Sequence, residues 1–248
     1  MTLRIAIWSG PRNLSTAMMR SFGSRADTAV SDEPFYGAYL KATGDPQPMA
    51  ESVIASMDCD WHSVARAMRG PGPGGRPIWY QKQMAHHMVG PVGIDDLGGI
   101  THAFLIRDPE RVIASYAAKR VAVRPDHLGT AIQVKFFKRE ANRLGRPPPV
   151  VDSADVLRDP AGTLTLLCDA LGIGFDPAML AWETGIRTSD GIWATHWYDA
   201  VAASTCFGPP DDRPVSLAPE AQAVADACRA DYEYLARYAL RPAALQGL

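Results

Sequence analysis

The run Ile5-Ala6-Ile7-Trp8 leads directly into Ser9-Gly10-Pro11-Arg12-Asn13-Leu14-Ser15-Thr16, and an amphipathic pattern follows without a gap. The apolar run, from Leu3 to Trp8, suits a central strand of a parallel sheet. Leu14, Ala17, Met18, Ser21 and Phe22 recur at helical spacing, with Asn13 placed as N-cap and Gly23 as a stop. A strand feeding a helix through a short polar turn commits the chain to an α/β unit. It also builds an anion cradle, because the first helical N–H groups lack intrahelical acceptors and the helix dipole is positive there. Gly10, Pro11, Arg12, Asn13, Leu14, Ser15 and Thr16 are therefore candidate binding residues. The loop lacks the Gly-Lys-Ser/Thr ending of a Walker A sequence. Arg12 is its only cation, and a guanidinium fork suits anionic oxygens. The plainer reading is an ordinary strand-to-helix turn with Arg12 in solvent.

The rest of the chain repeats the strand-helix alternation. Strands are expected at Thr28 to Ser31, Ile78 to Lys82, Thr101 to Ile106, and Val150 with Val151. Helices are expected over Pro34 to Lys41, Glu51 to Met57, Trp61 to Met68, Pro109 to about Arg120, Asp126 to Leu144, Pro160 to Leu171, and Glu220 to about Leu240. Asp108 caps the helix that Pro109 begins, and Gly70 to Gly75 reads as a flexible connector. Such alternation predicts a three-layer α/β/α arrangement with a central, mostly parallel sheet of about five strands. No linker divides the 248 residues, so one domain over 1–248 is expected.

A second candidate anion site lies in Phe104 to Tyr116. Arg107 falls at the carboxyl end of a strand, where open α/β sheets bind ligands, and Ser115 lies two turns into the following helix. The alternative is that Arg107 pairs with a structural carboxylate and Ser115 merely packs.

Together these motifs resemble the bacterial branch of the sulfotransferases that use 3′-phosphoadenosine 5′-phosphosulfate (PAPS). In that family a strand-loop-helix near the N-terminus holds the 5′-phosphosulfate, and an arginine with a serine eight positions later holds the 3′-phosphate. The matching residues are Ser9 to Thr16, and Arg107 with Ser115. Val150 to Pro160, followed by a helix ending Leu171-Gly172-Ile173, is similar to a third family element, and Asp32 to Tyr36 also looks like the bacterial branch. The resemblance implies a P-loop-like nucleotide-binding fold, PAPS as sulfuryl donor and 3′-phosphoadenosine 5′-phosphate (PAP) as product. The chain departs from eukaryotic cytosolic members in having Arg12 where they carry lysine. It also lacks their C-terminal Arg-Lys-Gly element, for which Arg124 or Arg213 would have to substitute.

Sulfuryl transfer needs a base for the acceptor and cations for charge developing on the leaving phosphate. Tyr80 to His87 supplies both: Lys82 is placed to touch the bridging oxygen and His86 to act as base, since imidazole titrates near neutrality. Adjacent residues on a regular element face apart, so only one of His86 and His87 is expected in the site. A solvent-exposed pair capping a short helix is the plain alternative. Glu33 is a rival base, or else a carboxylate paired with Arg12 or Lys82. The catalytic set is thus His86, Lys82, Glu33 and Arg12. Trp193, Trp197, Tyr198 and Phe207 either pack in the core or line a pocket for adenine or acceptor.

Composition narrows the partners. A net charge of −2 favours neither nucleic acid nor a membrane surface, and no apolar run approaches the ~20 residues of a span. Only four apolar residues separate Arg4 from Ser9, so no signal peptide is expected and the protein reads as cytoplasmic. Cys59, Cys168, Cys206 and Cys228 form no CxxC pair and read as small buried residues rather than metal ligands. No metal is expected, because positioned cations meet the charge. The acceptor is expected to be small and to bear a hydroxyl or amine, and a homo-oligomer is possible. The alternatives are a P-loop-type small-molecule kinase, which would call for Mg²⁺ and a loop lysine, and a non-catalytic nucleotide-binding protein.

Overall fold

The computed structural model of the protein describes residues 2–117, 123–210 and 212–245. Five strands, β1 (Leu3–Ser9), β2 (Thr28–Asp32), β3 (Ile78–Met84), β4 (Thr101–Ile106) and β5 (Val150–Asp152), form one sheet in the order β2-β3-β1-β4-β5. Every pairing in it is parallel. The helices are α1 (Ser15–Gly23), α2 (Tyr36–Thr43), α3 (Ala50–Ser56), α4 (Trp61–Met68), α5 (Pro109–Ala117), α6 (Pro125–Leu128), α7 (Thr130–Leu144), α8 (Ser153–Arg158), α9 (Pro160–Leu171), α10 (Ala194–Trp197), α11 (Asp199–Ala202) and α12 (Pro219–Ala236).

The alternation of side chains along β1 shows why its sequence is apolar throughout. Ile5 and Ile7 enter a core shared with Met18, Phe22 and Tyr80, whereas Ala6 and Trp8 enter a second core with Phe104, Phe136 and Phe137. A strand covered by helices on both faces has no polar side to show. Trp8 also donates its Nε1–H to His102 Nδ1 at 3.1 Å inside the second core. Burial holds His102 neutral, its pKa lowered to about 4.

Several expected elements differ in detail. β3 runs two residues beyond Lys82, and all seven of its residues are buried. The stretch expected as one helix from Asp126 is two, because Gly129 adopts φ +70° between α6 and α7. A Cβ at Gly129 would lie 2.7 Å from the His86 nitrogen, so the break lets the chain cross closely over the end of β3. Asn13 is not the N-cap of α1; Leu14 holds that place with φ 66° and no side-chain cap. The last long helix begins at Pro219 and ends at Ala236 rather than near Leu240. Pro73–Gly75 forms a single 3₁₀ turn inside the glycine-rich connector. The expected end of α5 near Arg120 lies outside the described residues. Among the cysteines, Cys168 and Cys228 are buried as expected, Cys59 is half-buried, and Cys206 is exposed. No helix among the described residues is long and apolar enough to cross a membrane.

Candidate active site

A cavity of about 380 Å³ opens where β1, β2, β3 and β4 give way to the segments that follow them. Its walls are the loop Pro11 to Ala17, Glu33, Tyr36 and Gln47, the end of β3 from Lys82 to His87, Arg107, Tyr116, and the aromatic segment from Trp193 to Gly208. This is the carboxyl edge of the sheet, where the strand order reverses around β1.

The first loop is held by its carbonyls. Asn13 Nδ2 donates to Pro11 O at 3.0 Å, and Asn13 Oδ1 accepts from Gly10 N at 3.2 Å. Arg107 Nη1 donates to Arg12 O at 2.6 Å, and Ser153 Oγ donates to Asn13 O at 3.0 Å. Arg12 and Leu14 both have positive φ, at 58° and 66°. Residues in the left-handed region alternating with ordinary ones turn successive amides to one side, forming a concavity for an anion. The first helical bond of α1 runs from Met18 N to Leu14 O, which leaves the amides of Ser15, Thr16 and Ala17 at the mouth of that concavity without intrahelical acceptors. Gly10 permits the arrangement, since a Cβ there would meet the Leu128 carbonyl oxygen at 2.4 Å.

Arg12 is half-buried, not in bulk solvent. Its Nε donates to Ser115 Oγ at 2.9 Å, and among the described residues no carboxylate pairs with its guanidinium. Burial depresses its pKa, with Tyr116 opposing the shift. A guanidinium that has lost water without gaining a carboxylate is a costly feature, and an anionic ligand is what would compensate it. Arg12 and Arg107, expected in two separate phosphate sites, are joined along one edge of the cavity, and Ser115 touches that edge through Arg12 without lining the cavity itself.

At the other end, the expected catalytic residues form a buried network. Lys82 is 1% exposed. Its Nζ contacts Asp32 Oδ1 at 2.9 Å, Glu33 Oε1 at 2.5 Å and the Tyr198 hydroxyl at 2.6 Å. Burial opposes the ammonium form, but the two carboxylates outweigh it and hold the Lys82 pKa well above its usual value. All three ammonium protons are engaged, so a contact from Lys82 to a bridging oxygen requires one of these bonds to be given up. Burial raises the pKa of Asp32 against the pull of Lys82. Tyr198 donates to Asp32 Oδ2 at 2.7 Å, as does Gly191 N at 3.1 Å. Asp32 was not singled out as a site residue from sequence, although the Asp32-Glu33 doublet closing β2 was an available signal, and Tyr198 was expected only as one of four aromatics that pack in the core or line a pocket.

Glu33 thus takes the paired role that was its alternative to acting as base. Its Oε1 meets Lys82, and its Oε2 lies 3.8 Å from His87 Nε2. The expectation that only one histidine reaches the site is corrected. Ala85–His87 is a 3₁₀ turn rather than a strand or α-helix, and both imidazoles line the cavity with centroids 4.4 Å apart. Both are buried, which removes the solvent-exposed pair. His87 stacks on Tyr36 at 4.7 Å, and burial, aided by Lys82, holds its pKa well below the ordinary value.

The aromatic segment does two jobs at once. Trp193, Tyr198 and Phe207 belong to the core and also line the cavity. The segment is anchored by a bidentate pair, Arg20 to Asp190 at 2.5 and 2.6 Å, with both side chains buried. Arg124 lies away from the cavity, in a surface pair with Asp126 at 2.8 Å, and Cys206 stands exposed at the cavity wall.

Sheet order, first loop and cavity define a P-loop-like α/β fold with a candidate anion cradle at the carboxyl edge of its sheet. Residues 3–230 match the sulfotransferase domain family, and the chain belongs to it. Two Arabidopsis thaliana proteins, branched-chain-amino-acid aminotransferase-like proteins 2 and 1, are 35% identical over 211 residues and 36% identical over 210. These alignments cover 85% and 84% of this chain but 37% of each relative, so the chain spans little more than a third of their length. The crystal structure of a sulfotransferase from Alicyclobacillus acidocaldarius matches over 97% of this chain and 98% of that one, with a TM-score of 0.54 at 13% identity, and so shares the fold. A sulfotransferase domain from the curacin biosynthetic pathway aligns over 92% of this chain and 98% of that one, with a TM-score of 0.49 and 16% identity.

Proposed function

We propose that this chain transfers a sulfuryl group from PAPS to a small hydroxyl- or amine-bearing acceptor. The observation that carries the reading is Arg12: a half-buried cation that, among the described residues, has no carboxylate partner, standing with Arg107 in the cavity lining beside outward amides and bonded behind that lining to Ser115. In this reading the 5′-phosphosulfate lies on the amides of Asn13 to Thr16 and on Arg12. Arg107 and the Ser115 hydroxyl receive the 3′-phosphate. His86 takes the acceptor proton. The acceptor lone pair forms a new bond to sulfur, the bond from sulfur to the bridging phosphate oxygen breaks, and its electron pair stays on the phosphate of PAP. Arg12 and the loop amides meet that charge as it develops. Lys82 acts from behind, fixing Glu33 and Tyr198 in the wall where the acceptor sits.

A thermal-shift comparison tests the donor. A ligand that binds only the folded chain raises its melting temperature by mass action. PAP is expected to raise it, and AMP, which lacks the 3′-phosphate, to do so much less. Arg107→Ala is expected to remove most of the difference. Equal protection by AMP and PAP would overturn the reading.

A further inference from the structure

Among the described residues, charge at the acceptor end of the cavity does not balance when both of its carboxylates are ionised. Asp32 and Glu33 contribute two carboxylates, and one ammonium, that of Lys82, lies between them. Tyr198 supplies a neutral hydroxyl, and His87 is kept neutral by burial. Glu33 is 8% exposed and lines the cavity, whereas its second oxygen has only a 3.8 Å approach to His87. The arginines of the cavity, Arg12 and Arg107, stand on the opposite wall, bonded to Ser115 and to the Arg12 carbonyl. An excess of one buried negative charge is expensive unless something cationic comes to meet it.

Two further observations point to a ligand there. Tyr36 is 5% exposed and lines the cavity, yet its hydroxyl has no hydrogen-bond partner among the described residues. His87 stacks on one face of Tyr36, the rings of Tyr36 and Trp193 meet at 5.0 Å and 87°, and both residues line the cavity together with Glu33 and Trp197. Aromatic faces backed by a carboxylate are a favourable setting for an organic cation and a poor one for an anion or a phenolate.

We infer that the acceptor is a small alcohol bearing an ammonium group, with the ammonium held between Glu33 and the Tyr36–Trp193 corner. The cation and the nucleophile are separate groups, since an ammonium nitrogen has no lone pair to attack sulfur. The hydroxyl oxygen forms the bond to sulfur, the bond from sulfur to the phosphate oxygen of PAPS breaks with its electrons remaining on PAP, and the hydroxyl proton passes to His86. This rests on the sulfuryl-transfer reading only for the word acceptor; the cation site itself does not depend on the donor.

The test is calorimetric titration of the chain, without nucleotide, with choline, with its uncharged isostere 3,3-dimethylbutan-1-ol, and with 4-nitrophenol. Choline is expected to bind at least about tenfold more tightly than the isostere, since the two differ in charge and little in shape. Glu33→Gln, checked for folding by circular dichroism, is expected to remove most of that preference. Equal or tighter binding of the isostere or of 4-nitrophenol overturns the inference, as does a choline preference that survives Glu33→Gln. If the variant does not fold, the choline-to-isostere ratio on the unaltered chain decides alone. Failure here with PAP protection intact would leave the donor reading standing, and the converse result would sink the donor reading alone.

Discussion

Arg12→Ala is expected to lower turnover about 10²- to 10³-fold while leaving the melting temperature nearly unchanged. The magnitude is that of removing one preorganised group aimed at charge that develops in the transition state. Arg12 is the cation nearest the amides of the first loop, and its Nε bond to Ser115 fixes the fork against the wall where the nucleotide is proposed to lie. Stability should not follow activity down. The guanidinium is partly desolvated and, among the described residues, has no carboxylate to offset the cost, so its removal relieves a penalty. The backbone at residue 12 has φ 58°, a conformation about as unfavourable for alanine as for arginine. Arg12→Lys should recover only part of the loss, because a lysine cannot bond Ser115 and a phosphate with one rigid fork. Steady-state assays with labelled PAPS, beside melting curves of the same preparations, check both halves. A loss of turnover under threefold would mean that Arg12 only packs.

Lys82→Met is expected to destabilise the fold by about 3–5 kcal/mol, since it leaves Asp32 and Glu33 facing each other with no cation between them. For a domain of this size that corresponds to a fall of roughly 10 °C in melting temperature. Removing both carboxylate charges with Asp32→Asn and Glu33→Gln in the same chain should return much of the loss. The pH dependence has a definite sign. The Lys82 pKa is raised in the folded state, so its contribution is fully present at neutral pH. It is lost as pH rises past the ordinary lysine value toward the folded one. The unaltered chain should therefore lose stability on that alkaline limb, and Lys82→Met should lose less of it. A melting temperature within 2 °C of the unaltered chain, about 1 kcal/mol or less, would show that the network carries little.

Much of this architecture was legible in the sequence because it rests on local rules. The apolar run of β1 followed by a polar turn, Asp108 with Pro109, and Asp159-Pro160 leading to Leu171-Gly172 are each read from a few adjacent residues. All three appear in place, with Asp108 Oδ1 accepting from Glu110 N at 2.9 Å and Asp159 Oδ1 from Gly162 N at 2.9 Å. The misreadings come from folded geometry, some of it within one loop or turn and some of it long-range. Asn13 has the composition of an N-cap, but its amide is taken by the carbonyl and amide of its own loop. The helix expected over Asp126 to Leu144 runs through Gly129, against which the His86 amide lies. His86 and His87 were separated by a rule for regular elements that a 3₁₀ turn does not obey. Lys82 was expected to touch the bridging oxygen, because nothing local shows that Tyr198, more than a hundred residues away, engages its ammonium group.

The central claim is that one nucleotide spans the cavity, with a phosphate at each of two arginines. The most direct measurement is a crystal structure of the chain grown with PAP. The account predicts the 5′-phosphate within about 3 Å of the Ser15 and Thr16 amides and of Arg12, with the 3′-phosphate between Arg107 and Ser115. PAP bound elsewhere, or with Arg107 directed away from both phosphates, would contradict it.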